Sequence, residues 1–153
     1  ALDLQAVLDR FDTLPYAIAH LPVAAQLLAA PDSVALQAQL NATLQDMALH
    51  AKVAAIYMLD PQGKTLAASN WDSTQSFVGQ NFGFRPYFRD AIRGQPGYFY
   101  AIGNTTSIPG YFIAQPVYPQ RAKSGAATPV GVIVVKITAG GKTTSARFHI
   151  DAR

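Results

Sequence analysis

The sequence contains no cysteine, no glutamate and few charged residues of any kind. Without cysteine, the 153-residue chain has no disulfide, no thiolate nucleophile and no cysteine-ligated metal. It also lacks a run of about 18 apolar residues, so we predict no membrane-spanning helix within it. Only 14% of the residues are charged while 50% are hydrophobic, a balance typical of a compact globular domain rather than a disordered chain.

The positive charges are scattered along the chain. A net charge of +3 arises from 12 lysines and arginines against nine aspartates, but no cluster resembles a nucleic-acid-binding patch. The three histidines, His20, His50 and His149, are far apart in the sequence, which argues against a metal centre. Motifs of hydrolases, kinases and dinucleotide-binding enzymes are absent. We therefore predict a non-enzymatic domain with no cofactor, no metal and no nucleic-acid partner.

Hydrophobic spacing separates a helical first part of the chain from a strand-rich second part. Residues 2–30 have apolar residues at helical spacing, interrupted by Pro15 and Pro22, which predicts a long helix with a kink or a break. A second helix is predicted at 34–50. From Val53 the pattern predicts a hairpin, an aromatic and glycine-rich loop, a short helix and three strands. We predict an α+β fold with one five-stranded antiparallel sheet and helical cover.

Three arginines recur every four residues in the short predicted helix, at Arg85, Arg89 and Arg93. Like charges at this spacing repel one another, and the start of a helix is an electrostatically poor place for the cation of Arg85. One interpretation is an exposed surface charge. The other is a guanidinium that binds a carboxylate as a planar, bidentate partner.

The last predicted strand, "VGVIVVKIT", is apolar on both faces, and Lys136 ends one of its two rows. Either the ammonium group extends to water at the end of the strand, or it enters a pocket above the sheet and requires an anion there. Two cations together with several hydroxyls suit a small dianion better than an apolar ligand. The hydroxyls belong to Tyr87, Tyr98, Tyr100, Thr105, Thr106 and Tyr111.

Residues from about Ile56 to Ile137 resemble a known family of sensors. The segments are "LAASNWDSTQSFVGQNFGFRPYFRDAIRG", "YFYAIGNTTSIPGYFIAQPVY" and "GVIVVKI", in that order. They resemble the periplasmic sensor domain of DctB-type C4-dicarboxylate sensor histidine kinases, which belong to the double-Cache, PAS-like extracytoplasmic sensors. The pattern "LPYAIAHLPVAAQLL" is similar to the long first helix of that family.

This resemblance implies a PAS-like sheet that binds succinate, malate or fumarate on one face. It also implies a periplasmic domain, tethered to the inner membrane in the parent protein, that dimerises through its N-terminal helix and signals to a histidine kinase. We expect Arg85 to bind one carboxylate and Lys136 the other. Carried over by motif, the contacts are Arg85 and Tyr87 of "FRPYF", Gly103, Thr105, Thr106 and Tyr111 of "AIGNTTSIPGY", and Lys136, to which we add the hydroxyl of Tyr100.

We divide the chain into three parts on this basis. Residues 1–50 form the helical region and residues 51–139 the PAS-like ligand-binding domain. Residues 140–153 are predicted to be a polar tail, either because the protein is truncated there or because a segment was added. Alternatively, "SARFHI" forms a further strand. Since the chain begins within a helix-like pattern, we expect it to be an excised piece of a longer protein. The resemblance implies a second, membrane-proximal PAS-like module after "VVKI", so we expect either a truncated protein or a single-module relative.

Two other functions fit the same sequence. A chemoreceptor or cyclase sensor domain would use the same pocket for another carboxylate or for an amino acid, whose ammonium group would need Asp72 or Asp90 as a partner. A structural dimerisation module would have the same fold but no anion near Arg85.

Overall fold

The computed structural model describes residues 4–102, 109–121 and 127–138. None of the helices in these ranges is long and apolar enough to cross a membrane. The order of elements is that predicted, with helices first and a short helix between the second and third strands. The elements are α1 (Leu4–Phe11), α2 (Thr13–Ala19), α3 (Pro22–Ala29), α4 (Val34–Ala51), β1 (Ala55–Leu59), β2 (Thr65–Ala68), α5 (Pro86–Ile92), β3 (Gly97–Ile102), β4 (Pro109–Val117) and β5 (Gly131–Thr138).

The first predicted helix is divided into three short ones. Pro22 lies at the start of α3, where its missing N–H costs no hydrogen bond, and Leu21 before it has extended backbone with φ −66° and ψ 132°. Pro15 lies in the first turn of α2 and does not break it. α4 begins at a true cap, because the Ser33 hydroxyl accepts a hydrogen bond of 3.2 Å from the Leu36 N–H.

The five strands form one antiparallel sheet in the order β2-β1-β5-β4-β3. This confirms the predicted fold class. β5 is the central strand, since it pairs with β1 on one side and with β4 on the other. Lys136 therefore lies inside the sheet, opposite Ala55 on β1 and Phe112 on β4.

The two faces of the sheet are covered by different elements. We call one the helical face, because α1 to α4 pack against it and share one core with Ile56, Ile113, Ile133 and Val135. We call the other the aromatic face, because α5 and the loop before it cover the sheet there with aromatic rings. The rings of the aromatic face belong to Tyr57, Phe77, Phe82, Tyr87, Phe99 and Phe112.

Both edge strands are connected to the helical layer by side-chain hydrogen bonds. On β2, the Ala68 N–H donates to Oδ1 of the buried Asn41 in α4 at 2.9 Å. On β3, the Tyr98 hydroxyl donates at 3.2 Å to Oδ1 of Asp12, the residue between α1 and α2. A side chain thus holds each edge of the sheet to a specific point of the helical layer.

The contact between β3 and α5 depends on a residue without a side chain. A β-carbon at Gly97 would lie 2.8 Å from the α-carbon of Tyr87 and closer still to its carbonyl oxygen. Backbone atoms cannot move aside as a flexible side chain can. Gly97 therefore lets α5 approach the sheet at the residue that carries the Tyr87 hydroxyl.

We predict that Gly97→Ala lowers the free energy of unfolding by about 1–3 kcal/mol, because the added methyl group forces α5 away from β3. Urea unfolding would measure the change. Gly110→Ala on β4 is the matched control, since a β-carbon there meets only side-chain atoms at 3.3–3.6 Å. Equal stability of the two variants would contradict this account of the contact.

Candidate functional site

Arg85 immediately precedes α5 and is half-buried. Its guanidinium carbon lies 4.8 Å from the centroid of the Phe84 ring and 5.8 Å from that of the Phe99 ring, within the range of cation–π attraction. The contact with Phe99 places this cation at the aromatic face. Arg89 and Arg93, the other two arginines of the repeat, are exposed.

Lys136 reaches the same face from the sheet. Its Nζ atom lies 5.6 Å from the centroid of the Phe112 ring and 5.8 Å from that of the Phe77 ring. Partial burial lowers the pKa of Lys136, and the positive charge of Arg85 lowers it further. The two cations are therefore close enough to repel each other.

No carboxylate neutralises either cation within the part of the chain that the structure describes: neither Arg85 nor Lys136 has an acidic oxygen within 4.0 Å there. Asp90 is exposed, and Asp72 accepts a hydrogen bond of 3.1 Å from Gln45 of α4. Two partly desolvated like charges without a counter-ion are unfavourable. This arrangement favours the binding of an anion.

Two tyrosine hydroxyls meet at the same aromatic face. The hydroxyl oxygens of Tyr57 on β1 and Tyr87 on α5 are 2.6 Å apart, and each residue is only 1% exposed. Burial raises the pKa of Tyr87 to about 12, although the bond with Tyr57 and the charge of Arg85 oppose this change. Burial also raises the pKa of Tyr57 well above its usual value. Both groups are therefore protonated at neutral pH and able to donate hydrogen bonds.

Stacked and edge-on rings surround the polar atoms. The Tyr87 ring is parallel to the Phe112 ring to within 7°, with centroids 5.2 Å apart. The Tyr57 ring meets the Phe77 ring edge-on at 5.1 Å. Such a surrounding excludes water and strengthens electrostatic interactions with any anion that enters it.

The structure brings three of the predicted site residues together and separates two others from them. Arg85, Tyr87 and Lys136 all meet at the aromatic face. Tyr111 is buried in the core of the helical face, and its ring lies 4.8 Å from that of Tyr100, its partner across the β3–β4 pair. Alternation along a strand explains this, because Tyr111 neighbours Phe112 and must point the other way.

The remaining predicted contacts, Gly103, Thr105 and Thr106, lie outside the described residues. Four further residues of the aromatic face were not predicted as site residues: Tyr57, Phe77, Phe99 and Phe112. A signal for Tyr57 was present, since its hydroxyl is the one polar side-chain group in the otherwise apolar "AIYML" of β1. Phe112 required knowledge of the register that pairs it with Lys136.

A separate groove of about 220 Å³ lies on the helical side of the molecule, lined by residues that include Leu21, Pro116 and Tyr118. None of the residues of the cationic site lines this groove, so the two are separate features. Among the described residues, no three His, Cys, Asp or Glu side chains group together as ligands for a metal ion.

No family model matches the chain. Two curated relatives, each named "C4-dicarboxylate transport sensor protein DctB", are similar to most of it. The protein from Pseudomonas aeruginosa is 38% identical over 135 residues, which is 88% of this chain, and that from Rhizobium meliloti is 36% identical over 138 residues, or 90%. The crystal structure of the Vibrio cholerae histidine kinase DctB sensor domain superposes with a TM-score of 0.78 and 34% identity over 90% of this chain.

The chain belongs to the DctB-type periplasmic sensor domains. It spans 21% of the length of both curated DctB relatives and 51% of the Vibrio cholerae DctB sensor chain. The resemblance stated from the sequence motifs is thereby confirmed at the level of the family, the fold and the periplasmic location. Sensor domains of this type are binding modules, so the cations at the aromatic face are candidates for contact with a ligand.

We predict that Lys136→Met stabilises the ligand-free domain by about 0.5–1 kcal/mol at pH 7, since it removes a partly desolvated cation that lies near Arg85. The pKa of Lys136 is lower in the folded chain than its ordinary value of 10.5, so in the pH range between these two values the unfolded chain binds more protons. The stability contributed by this residue consequently rises with pH toward 10.5, and the advantage of the variant shrinks there.

Urea unfolding at pH 7 and pH 9.5 would test this prediction. Lys64→Met, at an exposed lysine near the start of β2, is the control and should change stability little at either pH. A Lys136→Met variant that is less stable than the parent at pH 7 would show that the ammonium group is well solvated or paired.

Proposed function

We propose that this chain is the ligand-binding sensor domain of a membrane-bound histidine kinase and that it binds a small C4-dicarboxylate such as succinate, malate or fumarate. The observation that carries the proposal is the pair of cations at the aromatic face, Arg85 and Lys136, with no carboxylate against either in the described chain. The names of the two curated relatives support the same class of ligand.

In the proposed complex each cation neutralises one end of the ligand. The Arg85 guanidinium offers a planar fork that fits a carboxylate bidentately, and the Lys136 ammonium takes the second carboxylate as a compact charge. The Tyr87 hydroxyl, protonated at neutral pH, donates to a ligand oxygen. Gly103, Thr105 and Thr106 remain predicted contacts of the same ligand. A monocarboxylate would leave one cation unneutralised and would bind more weakly.

An amino-acid ligand fits these surroundings less well. Its ammonium group would lie near two positive charges, and the two aspartates that could have offset it are engaged elsewhere or exposed. Asp72 is bonded to Gln45, and Asp90 faces solvent. The electrostatics therefore favour a ligand with two negative charges and no positive one.

For signalling, we propose that residues 51–139 form the ligand-binding unit and that residues 1–50 mediate homodimerisation next to the membrane anchor of the parent protein. A ligand shifts the signalling state only through a difference in its affinity for two arrangements of the domain. Neutralisation of the repulsion between Arg85 and Lys136 supplies such a difference, because only an arrangement that holds the cations together gains from it.

We predict that Arg85→Ala weakens succinate binding by roughly tenfold to a hundredfold, because a charge-assisted hydrogen-bonding group contributes about 1.5–3 kcal/mol. Lys136→Met should weaken it by a similar factor. Arg89→Ala, four residues further along the chain in α5 and exposed, is the matched control and should retain the parent affinity. Isothermal titration calorimetry would measure all three.

A ligand panel in the same experiment separates the candidate functions. We expect succinate, malate or fumarate to raise the melting temperature of the parent domain, and butyrate or an amino acid to raise it less. A preference for an amino acid would favour the chemoreceptor-type function. No shift with any carboxylate, together with unchanged calorimetry in both cation variants, would leave a structural dimerisation module.

A further inference from the structure

We propose that Tyr57 is a positioning residue for the ligand site: its hydroxyl donates to the Tyr87 oxygen and so directs the Tyr87 O–H toward a ligand carboxylate. This inference rests on the proposed function. Tyr57 does not itself need to touch the ligand, since it acts through the 2.6 Å contact between the two hydroxyl oxygens.

With a ligand bound, the direction of this hydrogen bond follows from the partners available to each hydroxyl. Two hydroxyls carry two protons, and the contact between them uses only one. Tyr57 lies in the middle of β1, is 1% exposed, and is enclosed by the rings of Phe77 and Phe82. In the described chain its hydroxyl bonds only to Tyr87. If Tyr57 accepted, its proton would be buried without a partner, which costs about 1–3 kcal/mol.

Donation by Tyr57 leaves the Tyr87 proton for another acceptor. The charge of Arg85 acts on both hydroxyls, and the Tyr87 ring lies against Phe99 and Phe112, the rings that also contact the two cations. An anion held by Arg85 and Lys136 is an acceptor of the required charge at the required face. No other acceptor for this proton lies among the described residues.

The geometry of a phenol explains why Tyr57 matters for orientation. A phenolic O–H prefers the plane of its ring and has two such directions, on either side of the C–O axis. When a donor occupies one of them, the proton turns to the other. A hydroxyl that accepts a hydrogen bond also becomes a stronger donor. Tyr57 thus fixes the direction of the Tyr87 O–H and strengthens its bond to the ligand.

The test is a double-mutant cycle with Tyr57→Phe, Tyr87→Phe and the double variant, titrated with succinate by calorimetry. Each change keeps the buried ring and removes only the hydroxyl. We expect Tyr87→Phe to weaken binding about tenfold, Tyr57→Phe about threefold to tenfold, and the double variant no more than Tyr87→Phe alone, since Tyr57 acts only through Tyr87. Tyr98→Phe, a hydrogen-bonded tyrosine on the helical face, should leave affinity unchanged.

The outcomes distinguish this inference from a purely structural role and from the proposed function. If Tyr57→Phe changes the melting temperature but binds succinate as the parent does, or if the two losses multiply in the double variant, the positioning role is wrong. If the parent binds neither succinate, malate nor fumarate, the proposed function falls and this inference with it. A loss with Arg85→Ala but none with Tyr57→Phe would overturn only the inference.

Discussion

The candidate ligand site depends on two cations that are held close together at one face of the sheet. Arg85 comes from the residue before α5 and Lys136 from the central strand, so a helix start and a sheet centre must stay in register for the charges to meet. Aromatic rings rather than carboxylates surround them in the described chain. The free energy of folding offsets the electrostatic cost of holding these like charges close together, and a bound anion would reduce that cost.

The cations and most of the apolar core lie on opposite faces of the sheet. The helical face is apolar and is covered by α1 to α4, so most of the stabilising burial lies on the side of the sheet away from the cations. The aromatic face is then able to hold polar atoms at a lower cost to stability. Gly97 contributes by allowing the backbone of Tyr87 to lie against β3.

The sequence was sufficient to predict the α+β class, the five strands and the two cations, because these leave local signals. Periodicity distinguishes helix from strand, and a lysine in an apolar row such as "VIVVKI" is visible without a structure. The face on which Tyr100 and Tyr111 lie was not predicted, since it depends on the pairing of β3 with β4. The Tyr57–Tyr87 contact joins residues 30 positions apart, and no local pattern encodes such a distance.

The edge strand β3 contacts both the helical layer and the cationic site. Tyr98 and Phe99 are adjacent, yet the first is bonded to Asp12 between α1 and α2 and the second contacts the Arg85 guanidinium. β3 pairs with β4 alone, so one ladder of backbone hydrogen bonds restrains it. A sideways displacement of this strand would therefore shift both contacts, because Tyr98 and Phe99 are consecutive residues on opposite faces of it.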